Sequence, residues 1–228
     1  MHDLQPVRAV TFDVGGTLIE PWPSVGHVYA QVAHRLGHPW FDERKLNEQF
    51  AGAWATRDGF DYSRPAWKEI VRDTFRGVLD GADVECLFGE LYDHFAGPGP
   101  WRIFPDALPA LHGLQEAGIR LGLISNWDER LRPLLERLRL SHYFEVIIIS
   151  EEHGETKPEA ELFHKAAEGF GLAPDTVMHV GDCEREDYRG AGEAGMRAGW
   201  LRRGGQGACG RGELRSLGEV ARLLEKRH

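Results

Sequence analysis

An aspartate follows a strand-like run near the start of the chain. Residues 7–12 are mostly apolar or β-branched, and Asp13 comes directly after them, ahead of Gly15 and Gly16. A carboxylate at the end of a buried strand, where the backbone turns, can act as a covalent nucleophile or bind a metal ion. Asp and Gly are also common in ordinary turns, so that structural alternative stays open. Thr17 could orient this carboxylate or cap the turn.

Two more polar groups follow apolar runs further along the chain. Ser125 and Asn126 come directly after residues 121–124, and their hydroxyl and backbone N–H groups could hold a phosphate at the start of the next helix. Helix capping by these side chains is the alternative. Lys157 precedes a proline, and its ammonium could neutralise clustered carboxylates and a phosphoryl group. An ordinary surface lysine would look the same in sequence.

A pair of aspartates follows the apolar run 177–180. Asp182 and Asp187 lie five residues apart after this run. Hard carboxylate oxygens near a third carboxylate suit Mg²⁺, which keeps several waters and takes few protein ligands. The structural alternative is a turn followed by Asp187 as a helix N-cap. The pattern therefore indicates a metal site only in combination with the residues above.

Strands and helices must alternate to bring these residues together. Apolar runs predict strands at 119–124, 144–149 and 177–180. Helical periodicity between these runs predicts helices at 105–117, 128–138 and 158–169. The last of these helices would have Pro158 at its first position. Alternation of this kind implies an α/β fold with a parallel sheet covered by helices on both faces. Ligands bind at the carboxyl edge of such sheets, where the polar residues would meet.

Residues 20–97 have a different character. Four helical patterns occur there without a strand: 24–36, 42–54, 65–79 and 83–95. Gly97–Pro100 ends the stretch as a linker. We therefore expect a core formed by residues 1–19 and 98–228, interrupted by a four-helix module at 20–97. The glycine-rich segment 204–210 lacks the Lys-Ser/Thr of a phosphate loop and predicts a surface loop before a C-terminal helix.

Composition excludes several classes of protein. The chain has 228 residues and a net charge of −9, which argues against general binding to nucleic acids or membrane surfaces but leaves anionic substrates open. Its three cysteines show no paired spacing, as expected in a reducing compartment. No apolar run reaches membrane-spanning length, and the first residues lack the pattern of a secretory signal. A cytoplasmic location is the expectation.

In order and spacing, these residues resemble motifs I to IV of the haloacid dehalogenase-like hydrolases over nearly the whole chain. The resemblance implies a Rossmann-like core with an inserted C1 cap, and a phosphatase that forms and then hydrolyses an aspartyl-phosphate. It implies that Asp13 is the nucleophile and an Mg²⁺ ligand, and that Ser125 binds the phosphoryl group. Lys157 would bridge Asp13 and the phosphate as a catalytic residue. Asp182 would bind Mg²⁺, with Asp187 in or near its coordination shell. Two further residues are expected on the substrate side: Thr17 and Asn126.

Position 15 departs from the family pattern, which has a second aspartate there. Gly15 can still offer its backbone carbonyl to Mg²⁺, but it cannot act as an acid or base. A positioned acid–base group contributes about 10²–10⁴-fold to a rate. The resulting expectation is an Mg²⁺-dependent hydrolase of a small phosphorylated metabolite that is slow or uses another acid. A dehalogenase- or phosphonatase-like enzyme, and a weak or inactive phosphate- or metabolite-binding protein, are the alternatives.

Overall fold

A parallel sheet forms the centre of the computed structural model, which describes residues 6–57, 59–205, 209–210 and 212–225. The strands in this part of the chain are β1 (Ala9–Phe12), β2 (Ile19–Pro21), β3 (Trp101–Ile103), β4 (Arg120–Ser125), β5 (Val146–Ile149), β6 (Val177–Gly181), β7 (Arg197–Leu201) and β8 (Glu213–Leu214). Six of them form one sheet in the order β5-β4-β1-β6-β7-β8, and every neighbouring pair is parallel. The predicted α/β fold with a parallel sheet is confirmed.

The register of the central strands sets the position of the candidate residues. All four residues of β1 are buried, as are the last five of β4, because these apolar strands have helices on both faces. Phe12 lies opposite Leu123 on one side and Val180 on the other. The carboxyl ends of β1, β4 and β6 therefore lie level with one another.

Helices occupy most of the remaining described chain: α1 (Val25–Arg35), α2 (Glu43–Ala55), α3 (Arg64–Thr74), α4 (Gly81–Ala96), α5 (Ala107–Glu116), α6 (Leu131–Arg137), α7 (Ser150–His153), α8 (Ala160–Phe170), α9 (Gly190–Glu193) and α10 (Val220–Glu225). Short 3₁₀ turns lie at Ser141–Tyr143, Pro174–Thr176 and Leu217–Glu219, and a π-helical turn lies at Glu184–Arg189. None of the helices in the described residues combines the length and apolar character needed to cross a bilayer.

Several helix boundaries differ from the sequence-based predictions; α4 begins two residues before its predicted start and α5 two residues after it. Helix α3 ends at Thr74 rather than near residue 79, since tight turns follow it and Gly77 has a φ of 70°. Helix α6 begins at Leu131, three residues after the predicted start. Helix α8 begins at Ala160, so Pro158 does not occupy its first position. The reason is that the Asn126 side chain binds the backbone of Lys157, and the chain turns before it enters the helix.

Two compact units are distinguished by their internal contacts. One contains the described residues within Met1–Ile19, Ile103–Glu129 and Arg139–His228; we call it the core unit. Buried side chains of α8, including Phe163 and Phe170, pack in its apolar interior with Ile124 of β4. The large sheet and every candidate site residue belong to the core unit.

The second, helical unit comprises Glu20–Arg102 and Arg130–Leu138. Its interior is apolar: Val28 and Val32 of α1 are buried with Leu46 of α2 and Leu87 of α4. Each of the first four helices has a side-chain N-cap, which satisfies backbone N–H groups at its start. That residues 20–97 act as a cap stays a prediction. The predicted loop at 204–210 is only partly described, since residues 206–208 lie outside the described residues.

Candidate active site

Asp13 lies one residue beyond β1, at the carboxyl edge of the sheet. Its backbone N–H continues the ladder by donating to the Val180 carbonyl at 2.9 Å. The side chain is buried, and its Oδ1 accepts hydrogen bonds from Ser125 Oγ at 3.0 Å and Lys157 Nζ at 2.7 Å. No hydrogen bond from a described residue reaches Oδ2. One oxygen of this carboxylate is thus held in place, and the other is available to a ligand.

The ammonium of Lys157 is buried at the centre of the site. Nζ donates to Asp13 Oδ1, to Asp187 Oδ1 at 2.6 Å and to the Ile124 carbonyl at 3.0 Å. Burial by itself lowers the pKa of Lys157, but the charges of Asp13 and Asp187 outweigh it and raise the pKa above its ordinary value. Lys157 is therefore a permanent cation whose three protons all have acceptors.

Asp187 is held on the π-helical turn that follows β6. Its Oδ2 accepts from the Cys183 N–H at 2.9 Å, and its Oδ1 accepts from Lys157 and from His179 Nε2 at 3.0 Å. Burial would raise its pKa, but the charge of Lys157 and the hydrogen bond from His179 hold the pKa well below its usual range. Gly181 lies directly against this carboxylate. A β-carbon on Gly181 would overlap the Asp187 side chain, so the close approach requires a glycine.

Asp182 completes a cluster of carboxylates with Asp13 and Asp187. The three contribute oxygens that all lie within 4.8 Å of one another. Although Asp182 as a residue is exposed, protein atoms surround its carboxyl group, and this burial, followed by the charges of Asp13 and Asp187, raises its pKa to about 8. Thr17 Oγ1 lies 3.5 Å from Asp182 Oδ1. Gly16 has a φ of 79° and leaves room for Asp182, since a β-carbon there would overlap Oδ2.

Asn126 is bound to the backbone of Lys157. Its Oδ1 accepts from the Lys157 N–H at 2.7 Å, and its Nδ2 donates to the Lys157 carbonyl at 3.0 Å and to Glu186 Oε2 at 3.2 Å. These bonds fix the loop that delivers the ammonium of Lys157 to the cluster. The predicted contact of Asn126 with substrate stays a prediction.

Sequence reasoning missed a buried pair behind the carboxylates. Thr11 and His179 lie opposite each other on β1 and β6, and Thr11 Oγ1 lies 2.9 Å from His179 Nδ1. Burial lowers the pKa of His179. Because the ionised Asp187 can only accept, Nε2 of the neutral ring carries the proton and Nδ1 accepts from Thr11. The sequence signal that could have revealed this pair is a single polar residue within each of two otherwise apolar strands.

Trp127 is a third residue that sequence reasoning missed. A β-carbon built on Gly15 would lie 3.2 Å from Cζ3 of the Trp127 indole. The space beside position 15 is therefore filled by an aromatic ring. A tryptophan directly after Ser125 and Asn126 was visible in the sequence, but only the tertiary fold places it against Gly15.

Comparisons with known proteins agree with this geometry. A family model described as haloacid dehalogenase-like hydrolase matches residues 7–195. The haloacid dehalogenase-like hydrolase domain-containing protein 3 of Danio rerio is 33% identical over 209 residues, which cover 87% of this chain and 86% of that protein. The chain belongs to the haloacid dehalogenase-like hydrolases. The resemblance stated from the sequence motifs is confirmed.

Two phosphatases extend the comparison. Phosphoglycolate phosphatase of Escherichia coli is 28% identical over 206 residues, covering 86% of this chain and 81% of that enzyme. The crystal structure of a HAD phosphatase from Thermococcus onnurineus matches with a TM-score of 0.68 at 27% identity, covering 97% of this chain and 100% of that one. The chain is thus a hydrolase of this family with phosphatases among its relatives.

Proposed function

We propose that this haloacid dehalogenase-like hydrolase is an Mg²⁺-dependent phosphatase of a small phosphorylated metabolite, acting through an aspartyl-phosphate on Asp13. The observation that carries the proposal is a cluster of three carboxylates at the carboxyl edge of the sheet, two of which, Asp13 and Asp187, bind the ammonium of Lys157. The phosphatases among its relatives support the same reaction. A cytoplasmic location and a mobile cap at residues 20–97 belong to this proposal.

The carboxylate cluster fits a divalent cation. Asp13, Asp182 and Asp187 offer hard oxygen ligands within 4.8 Å of one another, opposed by the single positive charge of Lys157. Burial, followed by the charges of Asp13 and Asp187, raises the pKa of Asp182. Asp13, Asp182 and the Gly15 carbonyl would hold the ion, with Asp187 beside it. When bound, Mg²⁺ would neutralise charge on the carboxylates and on the phosphoryl oxygens.

The nucleophile is Asp13 Oδ2. Because Ser125 and Lys157 hold Oδ1, the carboxylate keeps one orientation while Oδ2 attacks phosphorus. The bond between phosphorus and the leaving oxygen breaks, and its electron pair goes to that oxygen. Water then attacks the phosphoryl group, the bond to Oδ2 breaks, and phosphate leaves with the carboxylate restored. Solvent supplies one proton to the leaving group and takes one from the attacking water.

Lys157 and Ser125 stabilise the transferring group. The ammonium of Lys157 stays positive throughout and lies 2.7 Å from the nucleophilic carboxylate, so it also attracts the phosphoryl oxygens. Ser125 Oγ can turn its proton from Asp13 Oδ1 to a phosphoryl oxygen. Thr17 Oγ1 approaches Asp182 Oδ1 at 3.5 Å.

A second candidate function follows from Gly15. With no acid–base side chain there and the Trp127 ring beside it, the site suits a phosphate- or metabolite-binding protein with weak or no turnover. Both candidates require Mg²⁺ and phosphate binding, but only the phosphatase requires a covalent intermediate on Asp13.

Turnover with Mg²⁺ across a panel of phosphate monoesters, including phosphoglycolate, tests the proposal. We expect release of phosphate that disappears in Asp13→Asn and persists in the exposed-surface control Asp83→Asn. Acid quenching during turnover should trap one phosphoryl group on Asp13. Haloacids and phosphonates in the same panel test the other chemistries of the family. Binding of phosphate and Mg²⁺ without turnover of any compound would favour the second candidate.

A further inference from the structure

The indole of Trp127 forms one wall of the site beside the nucleophile. A β-carbon on Gly15 would lie 3.2 Å from Cζ3 and 3.9 Å from Cη2, so the outer edge of the six-membered ring abuts the backbone two residues after Asp13. Trp127 is half-buried, so part of its surface is open to solvent. The residue is therefore packed against position 15 and keeps some exposure to solvent.

The backbone of Trp127 is firmly anchored. Its N–H donates to Ser150 Oγ at 3.0 Å, and Ser150 Oγ donates to the Trp127 carbonyl at 3.0 Å. The Glu151 N–H donates to the same carbonyl at 3.3 Å. Ser150 is buried and follows β5 directly, so it ties Trp127 to the sheet edge where Asp13 lies. The ring is held as part of the site rather than carried on an independent loop.

The two side chains that hydrogen-bond to Asp13 already donate to acceptors within the protein. Ser125 Oγ donates to Asp13, and Lys157 donates its three protons to Asp13, Asp187 and the Ile124 carbonyl. Position 15 carries no side chain. Within the described core unit, the side chain that approaches position 15 is thus the edge of an aromatic ring rather than an acid.

We infer that Trp127 determines specificity by stacking on the leaving group, and that the substrates are phosphate monoesters with a planar, weakly basic leaving group, such as aryl or enol phosphates. Planar groups gain from stacking on an indole, and a weakly basic oxygen departs without being protonated. As Asp13 Oδ2 bonds to phosphorus, the ester oxygen leaves with the electron pair as a phenolate or enolate and takes a proton from solvent. This inference rests on the proposed phosphatase function.

Steady-state kinetics with phenyl phosphate and cyclohexyl phosphate test the inference, because the two rings differ in planarity and leaving-group basicity but are similar in size. Trp127→Leu should raise KM for phenyl phosphate about tenfold and change KM for cyclohexyl phosphate less than about twofold. Trp127→Phe should keep most of the preference. Trp40→Leu, which removes an exposed tryptophan of the helical unit, should change neither. Equal changes for both esters in Trp127→Leu would overturn the inference.

Binding of phenylphosphonate and cyclohexylphosphonate, measured by calorimetry with Mg²⁺, keeps the test independent of turnover. Selective weakening of phenylphosphonate binding in Trp127→Leu supports stacking, and equal weakening refutes it. Failure of the phosphatase function would appear separately, as an absence of turnover in the wild-type protein and Asp13→Asn alike.

Discussion

Lys157 Nζ lies 2.6 Å from Asp187 Oδ1, and both side chains are almost completely buried. The same ammonium lies 2.7 Å from Asp13 Oδ1, so one cation balances two carboxylates that water cannot reach well. Removing one partner of a buried pair leaves an uncompensated charge, which costs more than the pair itself contributes. Loss of Lys157 alone is therefore expected to destabilise the fold.

Lys157→Met should lower the free energy of unfolding at pH 7 by about 3–5 kcal/mol, because Asp13 and Asp187 would lose their counter-charge. Urea unfolding measures the change. Lys165→Met, which removes a half-exposed partner of Glu161, should cost less than about 1 kcal/mol. A similar small loss for both variants would contradict a structural role for Lys157.

Gly16→Ala should disrupt the Asp182 site as well as strain the backbone. Gly16 and Gly37 both have positive φ, at 79° and 93°, but only at Gly16 would a β-carbon overlap the Asp182 carboxylate. We expect each alanine variant to lose about 1–2 kcal/mol of stability from backbone strain. Only Gly16→Ala should weaken Mg²⁺ binding, by about tenfold or more in calorimetric titration. Equal Mg²⁺ affinity in the two variants would argue against Asp182 as a ligand.

Asp106 should make stability depend on pH below about 4. Burial by itself raises its pKa, but hydrogen bonds from Arg203 and the Leu217 N–H, with the charge of Arg203, outweigh burial and lower it. A carboxyl group whose pKa is lower in the folded than in the unfolded state stabilises the fold at pH values above its unfolded-state pKa. That stabilisation is lost as pH falls through the folded-state pKa, because the carboxylate becomes protonated in the folded protein too. Asp106→Asn should therefore cost about 1 kcal/mol at pH 7 and progressively less below pH ~4.

Urea unfolding of both proteins at several pH values measures this difference. Asp73→Asn, on the exposed pair with Arg76, serves as the control and should show little change at any pH. A constant difference between wild type and Asp106→Asn across the whole range would refute the assignment to the Asp106 carboxylate.

Gly15→Asp should raise turnover of alkyl phosphates only where the Trp127 ring is displaced or removed. The new β-carbon would lie 3.2 Å from Cζ3, so the ring must shift by a few tenths of an ångström in the single variant. In a Trp127→Leu background the carboxylate has room, and we expect a gain of about tenfold or more for alkyl esters. Aryl phosphates should gain less, since their leaving groups need little protonation. Parallel kinetics on the two variants measure the gain. A uniform loss for all esters in both variants would reject the hypothesis that the absence of an acid at position 15 limits turnover.

Local patterns were sufficient to predict the sheet and the edge where the candidate residues gather. Apolar runs alternating with helical periodicity specify a parallel sheet, and in such a sheet the carboxyl ends of the central strands lie side by side. Asp13, Ser125 and Asp182 could therefore be placed at one edge without knowing any contact. The start of α8 was wrong by two residues, because the loop before it is held by Asn126 rather than by its own helical propensity.

The sequence by itself thus determined the fold class, the family and the strand ends that carry the candidate residues, since each depends on short-range periodicity and motif order. Only the tertiary structure decided which atoms meet: Lys157 between Asp13 and Asp187, His179 between Thr11 and Asp187, and the Trp127 ring on Gly15. Most of these partners lie more than 100 residues apart, and strand register and side-chain packing bring them together. No local pattern encodes that geometry.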